Sequence, residues 1–80
     1  MITTVNQVYD IVNRIIRESR AVGREDIAKK LEDAMRLGGL GLEIIGDELR
    51  AIRSEVKKFA AKSEIEGIIR FVNHVYTGRP

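Results

Sequence analysis

Few residues in this chain are equipped for chemistry. Among 80 residues there is one histidine and no cysteine. A site that needs two imidazoles is therefore excluded. So are a disulfide, a thiolate zinc site, an iron–sulfur centre and a cysteine nucleophile. His74 is the only imidazole base available. A catalytic base needs a positioned proton partner and a group that fixes its tautomer. At about 100° per residue, His74 projects nearly opposite the stripe Ile65, Ile68, Val72 and Val75. No orienting partner shares its spacing, so it reads as a solvent-facing side chain.

Two carboxylates one helical turn apart, Glu43 and Asp47, could share a divalent cation or hold one proton at a raised pKa. The same spacing recurs on solvated helix faces. Asp47 also has Arg50 three residues on, and no Glu-x-x-His sequence supplies a di-metal centre. The turn Gly38-Gly39-Leu40-Gly41 precedes a helix start, where backbone amides can hold phosphate. No strand precedes it and no Lys-Ser/Thr follows it, so neither a P-loop nor a dinucleotide fingerprint applies. Glu43 and Asp47 would repel an anion there. The glycines read instead as an interhelix hinge that lets the flanking helices approach closely. No catalytic residue, cofactor site or metal site is expected, nor a small-molecule substrate.

Nucleic acid is a weaker prospect than the pI of about 9.2 suggests. The net charge is only +2, and aromatics are 5%, too few for a base-stacking platform. Glu25-Asp26-Ile27-Ala28-Lys29-Lys30-Leu31 resembles the start of a helix-turn-helix motif. The helical stripe nevertheless continues through Arg36, and the following helix would present Glu43 and Asp47 to phosphate.

The elements that carry these residues are helices. Thr4 with Gln7 has the spacing of a capping box. Val5, Val8, Tyr9, Val12, Ile15 and Ile16 then form one apolar face, and Gly23 is a natural stop. Ile27, Ala28, Leu31, Ala34 and Met35 form the second stripe. Leu42, Ile45, Leu49, Ile52, Val56 and Phe59 repeat at 3, 4, 3, 4, 3, a heptad seam. Ser63 with Glu66 suggests a second capping box before Ile65, Ile68, Ile69, Val72, Val75 and Tyr76, with Gly78 as the stop. No stretch alternates at period two as a strand would. The sequence predicts an all-α fold: one domain over 1–80, a compact antiparallel four-helix bundle with helices at about 5–22, 24–37, 42–61 and 64–77.

The charges mostly answer one another. Asp10–Arg14, Glu25–Lys29, Asp26–Lys30, Glu32–Arg36 and Glu66–Arg70 are acid-first i, i+4 pairs, each worth about 0.2–0.5 kcal/mol on an exposed helix. Arg14, Arg17 and Arg24 read as outward-facing. Arg50, Arg53 and Lys57 form the least compensated flank, suited to an acidic partner. The seam packs inside the chain or pairs two chains; in a parallel coil Glu48 would meet the second chain's Arg53. Ile11, Ile44 and Phe71 project about 100° from the centre of their apolar faces, widening the core or forming a surface for a partner.

The stretch from Leu31 to Arg50 joins an Asp-Ala helix end, a Gly-rich turn and Glu43-Ile44-Ile45-Gly46. It resembles a segment of small, uncharacterised bacterial all-helical proteins and covers about a quarter of the chain. The resemblance implies a bacterial protein and transfers no catalytic residue. No apolar run approaches the roughly 20 residues of a membrane span, and Met1-Ile2-Thr3-Thr4 does not read as a secretory leader, so a cytoplasmic location is expected.

A core this small supplies only a few kcal/mol of net stability without staples. The expected function is therefore a non-catalytic protein–protein interaction module. It would self-associate as a homodimer and act as an adaptor or an immunity- or antitoxin-like partner, using Ile11, Ile44 and Phe71 with Arg50, Arg53, Lys57 and Glu48. The alternative is a nucleic-acid- or ribosome-associated factor that binds through the Arg/Lys flanks.

Overall fold

The computed structural model describes residues 2–77, with the side chains at 39, 40, 76 and 77 left aside. The Gly78 stop and the Tyr76 end of the last stripe lie outside that description. Every regular element is helical: α1 (Val5–Ala21), α2 (Glu25–Met35), α3 (Gly39–Ala51), α4 (Arg53–Val56) and α5 (Lys62–Thr77).

The first helix begins as its sequence dictates. The Thr4 hydroxyl accepts from the Gln7 amide at 3.2 Å, and the Thr4 amide donates to Gln7 Oε1 at 3.0 Å. At its other end the Arg24 amide donates to the Ser19 carbonyl at 2.8 Å and the Gly23 amide to that of Arg20 at 3.2 Å. This is a Schellman closure, and it requires the positive φ of 82° that Gly23 adopts.

Stripes from four helices meet in one core. Val8, Val12, Ile15, Ile27, Ala28, Leu31, Ile45, Leu49, Ile65 and Ile68 are buried. α1 packs on α2, α2 on α3 and α3 on α5. These side chains are small or branched aliphatics, so the helices can lie close. Two glycines bring them closer still. A Cβ at Gly41 would stand 1.8 Å from the Ala34 carbonyl oxygen, where α3 abuts the end of α2. A Cβ at Gly46 would stand 3.0 Å from Val72 Cγ1, at the α3–α5 crossing.

Three expectations need correction. The third helix does not run unbroken over 42–61. It starts at Gly39 and turns at Ile52 (φ −109°, ψ 23°), and the Ile52 carbonyl then accepts from Glu55 and Val56 to restart the ladder as α4. Leu42, Ile45, Leu49 and Val56 are buried within the chain, whereas Ile52 and Phe59 are half-buried at the break. The seam is thus internal to the monomer. The last helix is not capped by Ser63 with Glu66. The Ala61 carbonyl accepts from Ile65, and the Glu64 carboxylate reaches back to the Ala61 amide at 3.0 Å. That shift frees Glu66 for another partner.

The third correction concerns charge pairing. Of the five acid-first pairs only Glu32–Arg36, at 3.6 Å, forms, although Lys29–Asp33 at 3.4 Å and Asp33–Arg36 at 3.7 Å also pair within α2 or at its end. Glu25 bonds Arg20, Asp26 bonds Arg24, Glu66 lies beside Arg53, and Arg14 crosses to Glu64. Arg24 also reaches Glu55, tying the α1–α2 turn to α4. Arg14 and Arg24 are therefore half-buried interhelix clamps, and Arg17 alone of its group is simply exposed.

Replacing Gly41 with Ala should cost about 2–3 kcal/mol, because a backbone carbonyl cannot yield to the new methyl. Gly46→Ala should be much milder, since the Val72 methyl can shift by tenths of an ångström and helix propensity returns about 1 kcal/mol. Urea midpoints of the two variants check this order; equal midpoints would contradict the packing at Gly41.

Candidate functional site

The neighbour relations leave one side open. α1 and α5 each lay a main stripe into the core, α1 against α2 and α5 against α3. Between the two lies a groove of about 980 Å³. Gln7, Asp10 and Ile11 form the α1 wall, and Glu64, Glu66, Gly67, Arg70, Phe71 and His74 most of the α5 wall. Ile11 and Phe71 face the groove because each sits beside its buried stripe rather than within it; both are half-buried against the core. At one place the walls are bridged by Ile2, whose Cδ1 rests where a Gly67 Cβ would come within 3.2 Å. Glycine at 67 therefore leaves room for Ile2 to cross α5.

Ion pairs fix the rim. Arg14 on α1 donates to Glu64 on α5. Partial burial pushes the Glu64 carboxyl up, but the Arg14 guanidinium and the Ala61 amide together draw it below the ordinary glutamate value. Also on the α5 wall, Glu66 Oε1 lies 2.9 Å from Arg53 Nε. That oxygen is shielded from solvent and lacks a well-aligned hydrogen bond, so the attraction there is mainly of charge. Gln7 is held by its capping bonds and by the Thr3 amide at 2.7 Å. Away from the groove, at the α1–α2 turn, hydrogen bonds from Arg20 lower Glu25 and hydrogen bonds from Arg24 lower Asp26, and both arginines are raised in return.

The residues singled out from sequence separate into groups. Ile11 and Phe71 come together in the groove, with His74 exposed on the same lining. Ile44 does not join them; it stays 37% exposed on α3. The basic flank is more engaged than its spacing implies. Arg50 donates to Asn73 Oδ1 at 3.2 Å, and Arg53 pairs with Glu66. Arg53 is held in its own chain, and Glu48 is half-buried on α3. Lys57 is exposed beside a shallow hollow of about 220 Å³ that it shares with Ser54 and Lys62.

Sequence reasoning missed Ile2, Gly67 and Arg70 as groove residues. It also missed Ser19, fully buried with its hydroxyl donating to the Ile16 carbonyl at 3.1 Å. The i, i+3 relation of Ser19 to Ile16 was a usable signal. The placement of Ile2 over Gly67 had none.

The chemistry open to the groove follows from this geometry. Ser63 and His74 line it from one helix, about 16 Å apart along the axis at 1.5 Å per residue, too far for a nucleophile–base hydrogen bond. Among the described residues no three His, Asp or Glu side chains gather as metal ligands. Glu43 and Asp47 are exposed on α3, away from the groove. An apolar floor with a charged rim is suited to another helix. The chain matches no model of a known protein family, no curated protein and no solved structure.

Because the folded-state pKa of Glu64 is depressed, the Arg14–Glu64 pair stabilises the fold at neutral pH and loses that effect as pH falls below about 4.5. Arg14→Ala should lower stability at pH 7 by about 1 kcal/mol or less, given the pair's partial exposure. It should also flatten the acid limb of stability against pH. Urea unfolding at several pH values checks this, and an unchanged acid limb would mean that the pair contributes nothing.

Proposed function

We propose that the chain is a non-catalytic protein–protein interaction module that self-associates, with the α1/α5 groove as its docking surface. In this reading α1, α2, α3 and α5 form an antiparallel four-helix bundle, and α4 continues the third arm around a bend. The groove carries the proposal: Ile2, Ile11 and Phe71 remain partly open to solvent between the first and last helices of a domain already short of core. An apolar surface between two helices, rimmed by charge, is what a partner helix covers. A module of this kind would serve as an adaptor or as an immunity- or antitoxin-like partner in a bacterial cytosol, the setting that the resemblance of the Leu31–Arg50 stretch implies.

The competing reading, binding of nucleic acid through the basic flanks, has less support. Arg50 and Arg53 are engaged with Asn73 and Glu66. Glu43 and Asp47 stand exposed near the start of α3, where they oppose phosphate.

Sedimentation equilibrium from low to high micromolar concentration should show the mass rising from 9.0 kDa toward twice that value. A mass that stays at the monomer value throughout would refute self-association.

A further inference from the structure

We infer that the second copy docks groove to groove, related by a two-fold axis parallel to the groove, so that Asp10 of each copy pairs with Arg70 of the other. The inference rests on the self-association reading and adds to it a surface, a symmetry and a pair of contacts.

Two charges in the groove go unanswered within the chain. Asp10 has Arg14 one turn away, and Arg70 has Glu66 one turn away. Neither short-range pair forms. Arg14 bonds Glu64 across the helices, and Glu66 lies beside Arg53. Each interhelix clamp thus removes the local partner of a groove residue. Asp10 on the α1 wall and Arg70 on the α5 wall are left exposed, with no ion pair among the described residues. They have opposite sign and stand on opposite walls, and they do not meet within the chain.

Symmetry then selects the arrangement. A two-fold interface places the same patch on both sides. With the axis along the groove, α1 of one copy lies over α5 of the other. Ile11 then faces the partner's Phe71, and Asp10 faces the partner's Arg70, twice. With the axis across the groove, α1 would lie over α1 and α5 over α5, so neither Asp10 nor Arg70 would meet its opposite charge. Apolar and charged complementarity therefore agree on one orientation. A stable interface needs about 800 Å² from each partner, roughly a sixth of the 4943 Å² accessible surface. The contact must therefore extend beyond the groove lining onto the outer faces of α1 and α5.

The test uses D10R, R70D and an equal mixture of the two. Each side chain is exposed and lacks an ion pair within the chain, so circular dichroism, and the melting temperature at concentrations where the parent is monomeric, should match the parent. Alone, each variant should dimerise about tenfold or more weakly, because like charges now face each other. Mixed, they should associate about as tightly as the parent, since the substituted residues restore both crossed pairs. A parent dimer that neither substitution weakens would mean that the copies meet elsewhere; self-association would stand and the groove-to-groove contact would fall. Singles that weaken but do not associate when mixed would also overturn the pairing. A parent that stays monomeric, or whose groove instead takes an amphipathic peptide of another protein, would remove the second copy as occupant.

Discussion

Aliphatic burial has to hold this chain together, because no disulfide is available and the charges lie at or near the surface. Isoleucine, leucine, valine and alanine fill the interior, and the partly buried aromatics Tyr9, Phe59 and Phe71 sit at its edge. Short, branched side chains give contact only when helices are close. The fold therefore depends on places where helices come close, and at Gly41 the backbone of α3 meets the Ala34 carbonyl with no room for a Cβ. That contact sets the α2–α3 hairpin, which in turn positions the surface on which α1 and α5 pack. Close packing in the middle has a consequence at the edge. Each outer helix has one stripe directed inward, so its second apolar position, Ile11 or Phe71, turns toward the gap between them.

Much of this was legible in the sequence because it is local. The stripes repeat at helical period, Thr4 and Gln7 form the capping box that their spacing implies, and Gly23 closes α1 in the conformation that glycine favours. The break at Ile52 was not legible. A 3, 4, 3, 4, 3 repeat is met equally by one helix and by two short helices that share a buried side, and Ala51-Ile52-Arg53 contains no residue that stops a helix. The start of α5 was misplaced for a related reason. Ser63 offers a side-chain oxygen, the usual sign of a cap, whereas the observed start at Ala61 uses only backbone and the returning Glu64. A cap without a polar side chain leaves no mark at its own position.

The candidate site was half visible. Off-stripe position identified Ile11 and Phe71, and the structure joins them; the same criterion chose Ile44, which remains apart on α3. Angular position on one helix says that a residue leaves the stripe, not which neighbouring element it then faces. Charge spacing misled in a parallel way. An acid four residues before a base is a partner by geometry only while neither meets something better, and Arg14 and Glu66 each do so on another helix.

Those two interhelix pairs carry the argument from fold to function. Partly exposed ion pairs add little stability, so Arg14–Glu64 and Arg53–Glu66 are poor candidates for what holds the bundle together. Their larger effect is on which charges are left over. With Arg14 on Glu64 and Glu66 on Arg53, Asp10 on the α1 wall and Arg70 on the α5 wall are left without an ion pair in the chain. In the groove-to-groove reading proposed above, these two charges, rather than the clamps themselves, set the orientation of the second copy. The clamps thus act on recognition only indirectly, through the two charges they leave unanswered.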